Sequence, residues 1–185
     1  AVFLAGVSLA IYQNYLVIFM TGLGASAALY GLSIAAAGAS ELPVYAFGQR
    51  LLRRLKPAGL LMVALAAFAL RGLAYSLVAD PAWAVAAQLL HGLSFSAMWI
   101  AAVVYAAQIA PRGLGASALA AMNAAQFGLA AATGALVGAS LYALAGPAAT
   151  FRVAGGLALA GLVLFAVAER GLGGRRPHVR PAART

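Results

Sequence analysis

The chain has 185 residues, 65% hydrophobic and 8% charged. Soluble domains carry about 25% charged residues, so this composition excludes a water-soluble globule, a disordered chain and a fibre, and marks an integral membrane protein. There are 12 Lys and Arg against 3 Asp and Glu, a net charge of +9, and no cysteine, which removes disulfides, thiolate metal sites and cysteine nucleophiles.

A membrane-crossing helix needs about 20 apolar residues, and six such stretches follow in order. The first, 1–20, closes at Thr21-Gly22-Leu23-Gly24-Ala25-Ser26 and carries Tyr12, Asn14 and Tyr15. The second, 27–48, carries Tyr30, Ser33, Ala37, Glu41 and Tyr45 on one face and runs into a basic stretch ending at Pro57. Pro43 and Gly48 are candidates for bending it. The third, 58–78, holds Arg71 and Tyr75 one turn apart and stops at Ala79-Asp80-Pro81. The fourth, 82–110, shows a polar and aromatic stripe of Gln88, His91, Phe95, Trp99, Ala102 and Tyr105 at helical spacing, and stops at Pro111-Arg112-Gly113. The fifth, 116–144, offers Asn123 and Gln126 and closes at Ala145-Gly146-Pro147. The sixth is 149–169. A basic tail, 171–185, has no apolar period and reads as disordered. Gly31/Ala35 and Gly134/Gly138 have the small-xxx-small spacing that lets helices approach closely. The chain starts without Met at the edge of an apolar stretch, which reads as a fragment that has lost its N-terminal part.

Charge orients this bundle. The second and fourth connections and the tail hold ten of the 12 basic residues, among them Arg50, Arg53, Arg54, Lys56, Arg112 and Arg170. The other connections hold none, although Arg152 lies just inside the sixth stretch. Basic residues collect on the cytoplasmic side, so the C-terminus is expected there, in a plasma-membrane protein of several passes. A solvated face touching anionic lipid accounts for the basic clusters. No nucleic acid partner is expected.

Ionisable groups at membrane depth are costly and point to function. Glu41, Arg71 and His91 are the three. Arg71 and His91 stand about 15 Å of helical rise on either side of Asp80-Pro81, at one depth near the midplane, where they can face one cavity; Arg71 could alternatively snorkel outward. Glu41 needs a partner or a proton. Around these three, Tyr12, Asn14, Tyr75, Gln88, Trp99, Asn123 and Gln126 form a candidate substrate cavity. Aromatics, amides and one carboxylate suit a hydroxyl-rich ligand such as a sugar or nucleoside. They also suit plain helix packing, with Asn and Gln as interhelical links. His91 and Ser94 do not make a hydrolase: same-helix neighbours are no in-line nucleophile and base, and no G-x-S-x-G elbow occurs. No catalytic set, metal site or cofactor is expected.

These residues resemble the C-terminal half of a major facilitator superfamily transporter, in the branch of lactose-permease-like and nucleoside–proton symporters. Tyr12-Gln13-Asn14-Tyr15 through Leu23-Gly24-Ala25-Ser26 is similar to the seventh helix and its turn. Ser40-Glu41-Leu42-Pro43 resembles the eighth helix, Leu70-Arg71 with Leu73-Ala74-Tyr75-Ser76 the ninth, and Gln88-Leu89-Leu90-His91-Gly92 with Trp99 the tenth. Gly48, Arg53, Arg54 and Lys56 look like a worn copy of the signature between the eighth and ninth. The resemblance implies an all-α membrane fold: six transmembrane helices over 1–170, forming one half of a twelve-helix transporter. It implies alternating access with a missing N-terminal six-helix half, in the lipid bilayer, for a small-molecule substrate and protons. It places Arg71 and His91 in a proton-coupling network. Ser94 stands where that branch carries a carboxylate, which leaves Glu41 as the carrier with His91 assisting. The other readings are a drug or metabolite exporter of the same superfamily and a non-transporting receptor or scaffold.

Overall fold

The structure, a computed structural model, describes residues 1–173; the expected tail lies outside them from residue 174 on. Among the described residues, four continuous helices are long and apolar enough to cross a membrane: α1 (Val2–Gly22), α2 (Ala27–Ser76), α3 (Pro81–Ile109) and α4 (Gly115–Gly171). Their starts follow from local chemistry. Ser26 caps α2 by accepting from the Leu29 amide at 3.2 Å. Asp80 caps α3 through the Ala82 amide at 2.8 Å, with Pro81 in the first helical position, where its missing N–H is harmless.

Two of these helices are far too long for one crossing. At 1.5 Å per residue, α2 with its 50 residues would extend about 75 Å, against a hydrocarbon core of about 30 Å. Each folds back at one residue of non-helical backbone. In α2 this is Lys56 (φ 57°, ψ 163°), and Glu41 before it and Arg71 after it both reach His91. In α4 it is Gly146 (φ 78°, ψ 177°). The first arm of α4 runs along α1 in the same order, Ala130 at Gly6, Gly134 at Ala10 and Gly138 at Tyr15. The second arm returns in reverse, with Phe151 on Phe19, Ala154 at Ser8 and Gly161 at Leu4.

The second stretch, expected over 27–48, lies within a longer helix. Its helix continues through Pro43 and Gly48, and the non-helical residue is Lys56. Contacts with α3 hold the arm on both sides of Pro43: the Gly92 amide donates to Ser40 Oγ at 2.8 Å, and Gly48 lies against Ile100. The small-residue expectation divides. A Cβ at Gly134 would come within 2.6 Å of Ala10 Cβ, and one at Gly138 would overlap the Tyr15 ring, so these two glycines set the α1–α4 approach. Gly31 faces open space and packs against nothing.

The core is an aromatic knot of Tyr12, Phe68, Tyr75 and Phe151 joined by ring contacts, with Leu60, Leu65 and Met98 fully buried around it. Outside it, Leu42, Leu136 and Leu144 are 69%, 73% and 87% exposed. Isolated exposed leucines are ordinary on a soluble protein, but here they belong to helices that suit hydrocarbon on their outer faces.

Candidate functional site

A cavity of about 340 Å³ opens between α1, the two arms of α2 and α3. Tyr12 and Gln13 line it from α1; Tyr30, Glu41 and Arg71 from α2; Gln88 and His91 from α3. Arg71 does not snorkel. It is 2% exposed and lies over the rings of Tyr12 and Tyr75, 5.2 and 5.3 Å from their centroids. Its planar fork serves three acceptors at once. Nε donates to Tyr75 Oη at 3.0 Å, one terminal nitrogen meets His91 Nδ1 at 2.8 Å, and the other donates to Gln88 Oε1 at 2.5 Å. Tyr75 Oη also donates to Gln88 Oε1 at 2.8 Å.

The line continues through the imidazole. His91 Nε2 lies 3.3 Å from Glu41 Oε1, and the ring stacks on Phe95. Ser96 Oγ donates to Glu41 Oε2 at 2.9 Å. Hydrogen-bond logic assigns the proton. A guanidinium can only donate, so Nδ1 of His91 accepts. The ring hydrogen then sits on Nε2 and points at the Glu41 carboxylate. Gln88, Arg71, His91, Glu41 and Ser96 are thus linked in one row, in which Arg71 donates to both its neighbours and Glu41 accepts from both of its own; the row is buried at Arg71 and open to the cavity at Glu41.

Two helix features hold Glu41 on His91. At Gly92, α2 and α3 meet backbone to backbone: a Cβ there would overlap the Ser40 carbonyl group. The Ser40 hydroxyl, which accepts from the Gly92 amide, donates in turn to the Ala37 carbonyl at 2.6 Å. Gly92 also opens a π-helical stretch, Gly92–Ser96. In an α-helix, Ser96 would sit about 140° around the axis from His91; the wider π turn brings both onto Glu41.

Of the residues expected at the site, Tyr12, Glu41, Arg71, Tyr75, Gln88 and His91 come together. Four do not. Asn14 is exposed, and its neighbour Gln13 lines the cavity instead. Trp99 packs on Phe127. Asn123 and Gln126 lie on the first arm of α4, outside the lining of this cavity. Ser96, Ser40, Gln13 and Tyr30 were not among the expected residues. Tyr30 shares the Glu41 face at helical spacing, whereas nothing in the sequence announces a π turn.

The cavity thus sits among membrane-length helices, with the buried Arg71 and the part-exposed Glu41 at its wall. The pattern of the MFS_1 like family, where MFS is the major facilitator superfamily, matches residues 1–153. The chain belongs to that family. No curated protein matches it. The MFS_1 like family is a family of membrane transporters and not of enzymes.

Proposed function

We propose that the chain is a six-crossing half of a proton-coupled transporter for a small polar solute, sugar-like or nucleoside-like. The two arms of α2 and the two of α4 each count as separate crossings. The site of such transporters lies at the midplane between two halves, so a second six-helix half completes the cavity. Its setting is the plasma membrane, with the basic connections and the C-terminus in the cytoplasm.

The observation that carries the coupling is the Arg71–His91–Glu41 chain. Protonating His91 at Nδ1 would break its bond from Arg71 and set two cations side by side. Glu41 faces the cavity and has acceptor oxygens to spare, so it is the member free to take up and release a proton. Ionised, it balances Arg71; protonated, it leaves the Arg71 charge uncompensated at the wall. Solute binding and proton binding therefore act on one electrostatic balance. Tyr12, Tyr30 and Gln13 supply the aromatic and amide surface that a hydroxylated solute uses.

The test is uptake by the complete transporter in liposomes under an imposed proton gradient. Glu41→Gln abolishes gradient-driven accumulation while solute exchange continues. Accumulation unchanged in Glu41→Ala would remove the carrier role.

A further inference from the structure

Among the described residues, the buried side-chain polar atoms without a hydrogen-bond partner lie in one place, apart from Glu41. Asn123 Oδ1 and both amide atoms of Gln126 are buried without a hydrogen-bond partner, and Gln126 is 1% exposed. Native folds leave few buried polar groups unpaired, and each one calls for a reason. The two residues flank the start of a second π-helical stretch, Ala124–Leu129, and π turns inside α-helices gather at functional sites. α1 closes over them. Gly6 lies against Gln126, where a Cβ would come within 3.2 Å of its carbonyl oxygen and 3.3 Å of its Cγ. Phe127 sits on Trp99 of α3. Gly6 is about 9 Å of helical rise from the cavity residue Tyr12, towards the end of the bundle that carries Arg112.

We propose that Asn123 and Gln126 form a second polar subsite, closed in this conformation, which takes a hydroxyl group when the first arm of α4 parts from α1. A hydroxyl is the complement of these atoms: it donates to Oδ1 or Oε1 and accepts from Nε2. Water and a hydroxyl of the transported solute share this chemistry. Either would enter where α1 parts from the first arm of α4, since Gly6 closes on Gln126 there. For the solute, the inference rests on the transport reading above.

Stability and thiol chemistry test it in the complete protein in liposomes. Gln126→Met keeps the length and removes the hydrogen bonding. It melts at the same temperature as the parent or higher; a fall of several degrees would reveal a protein partner for the amide and overturn the proposal. This chain has no cysteine, so Gln126→Cys introduces a thiol that mass spectrometry of its own peptide can follow. It reacts with a membrane-permeant maleimide at least tenfold faster than Ala154→Cys, whose site is fully buried where the second arm of α4 meets Ser8. Equal rates, or no reaction at position 126, overturn the proposal. Protection of Gln126→Cys by uridine or by lactose identifies a solute hydroxyl as the ligand, and a rate unchanged by both identifies water. Glu41→Gln leaves the Gln126→Cys reaction in place, so failure of the proton reading is told apart from failure of this one.

Discussion

Arg71, His91 and Gln88 show how scarce charge makes a site readable. With 8% charged residues in the chain, each ionisable group in an apolar stretch stands out, and counting turns from Asp80-Pro81 put Arg71 and His91 at one depth. Glu41 was legible as a charge, but its partner was not, because the register of α2 against α3 is set by one glycine. At Gly92 the atoms that a Cβ would meet are backbone atoms of Ser40 and Glu41, which cannot rotate away. Gly92→Ala therefore pushes the helices apart, breaks the bond from the Gly92 amide to Ser40 Oγ and stretches the His91–Glu41 pair. We expect a loss of about 1–3 kcal/mol, the usual range for overpacking, together with loss of gradient-driven uptake. Gly31→Ala, facing open space, is expected to be neutral or to gain up to about 1 kcal/mol from helix propensity. Thermal melting in detergent compares the two, and equal effects would show that Gly92 is not a crossing point.

At the scale of elements, the folds in α2 and α4 are built alike. Lys56 precedes Pro57 and Gly146 precedes Pro147; proline starts each returning arm, and the residue before a proline is driven to extended ψ. Both preceding residues have positive φ with ψ near 170° (Lys56 φ 57°, ψ 163°; Gly146 φ 78°, ψ 177°). That region is essentially reserved for glycine and costs other residues about 1–3 kcal/mol. Gly146 meets the demand without strain and Lys56 does not. Lys56→Gly is therefore expected to raise stability by about 1 kcal/mol or more, and Gly146→Ala to lower it by about 1–3 kcal/mol, both read as shifts in melting temperature. A neutral Lys56→Gly would show that its backbone relaxes in solution. Gly146-Pro147 was readable as a turn because both residues are turn formers. The helix of the second stretch runs on past Gly48: glycine is a weak helix breaker, and the packing of Ser40 on Gly92 and of Gly48 on Ile100 holds the arm straight through it. The π turns at Gly92–Ser96 and Ala124–Leu129 left no mark on composition or periodicity, which is why Ser96 escaped notice.

For the whole molecule, the decisive arithmetic concerns acids. The sequence has three, and each is bound to a group outside the basic connections. Glu41 is bound to His91 and Ser96, Asp80 caps α3, and Glu169 accepts from Tyr105 Oη at 2.5 Å. Arg53, Arg54, Lys56 and Arg112 are exposed, as is Arg50 over the Phe47 ring, and among the described residues none of them has an acid for a partner. They belong to one end of the bundle, since Leu61, Ile109 and Ala118 line a common apolar pocket there with residues 1–3. Asp80 and the turn after α1 belong to the other end. Moving such a basic cluster across a membrane during insertion is unfavourable, so we expect the end that bears it to stay in the cytoplasm. Between the two ends runs α3, with 29 residues, about 43 Å of rise, enough to cross. Two substitutions in the cysteine-free chain test both statements at once. In intact cells Ala79→Cys is expected to react with a membrane-impermeant maleimide, and Arg112→Cys only after permeabilisation. Reaction at both positions in intact cells would mean that α3 does not cross; the reverse pattern would turn the molecule over and place Lys56 and its neighbours outside.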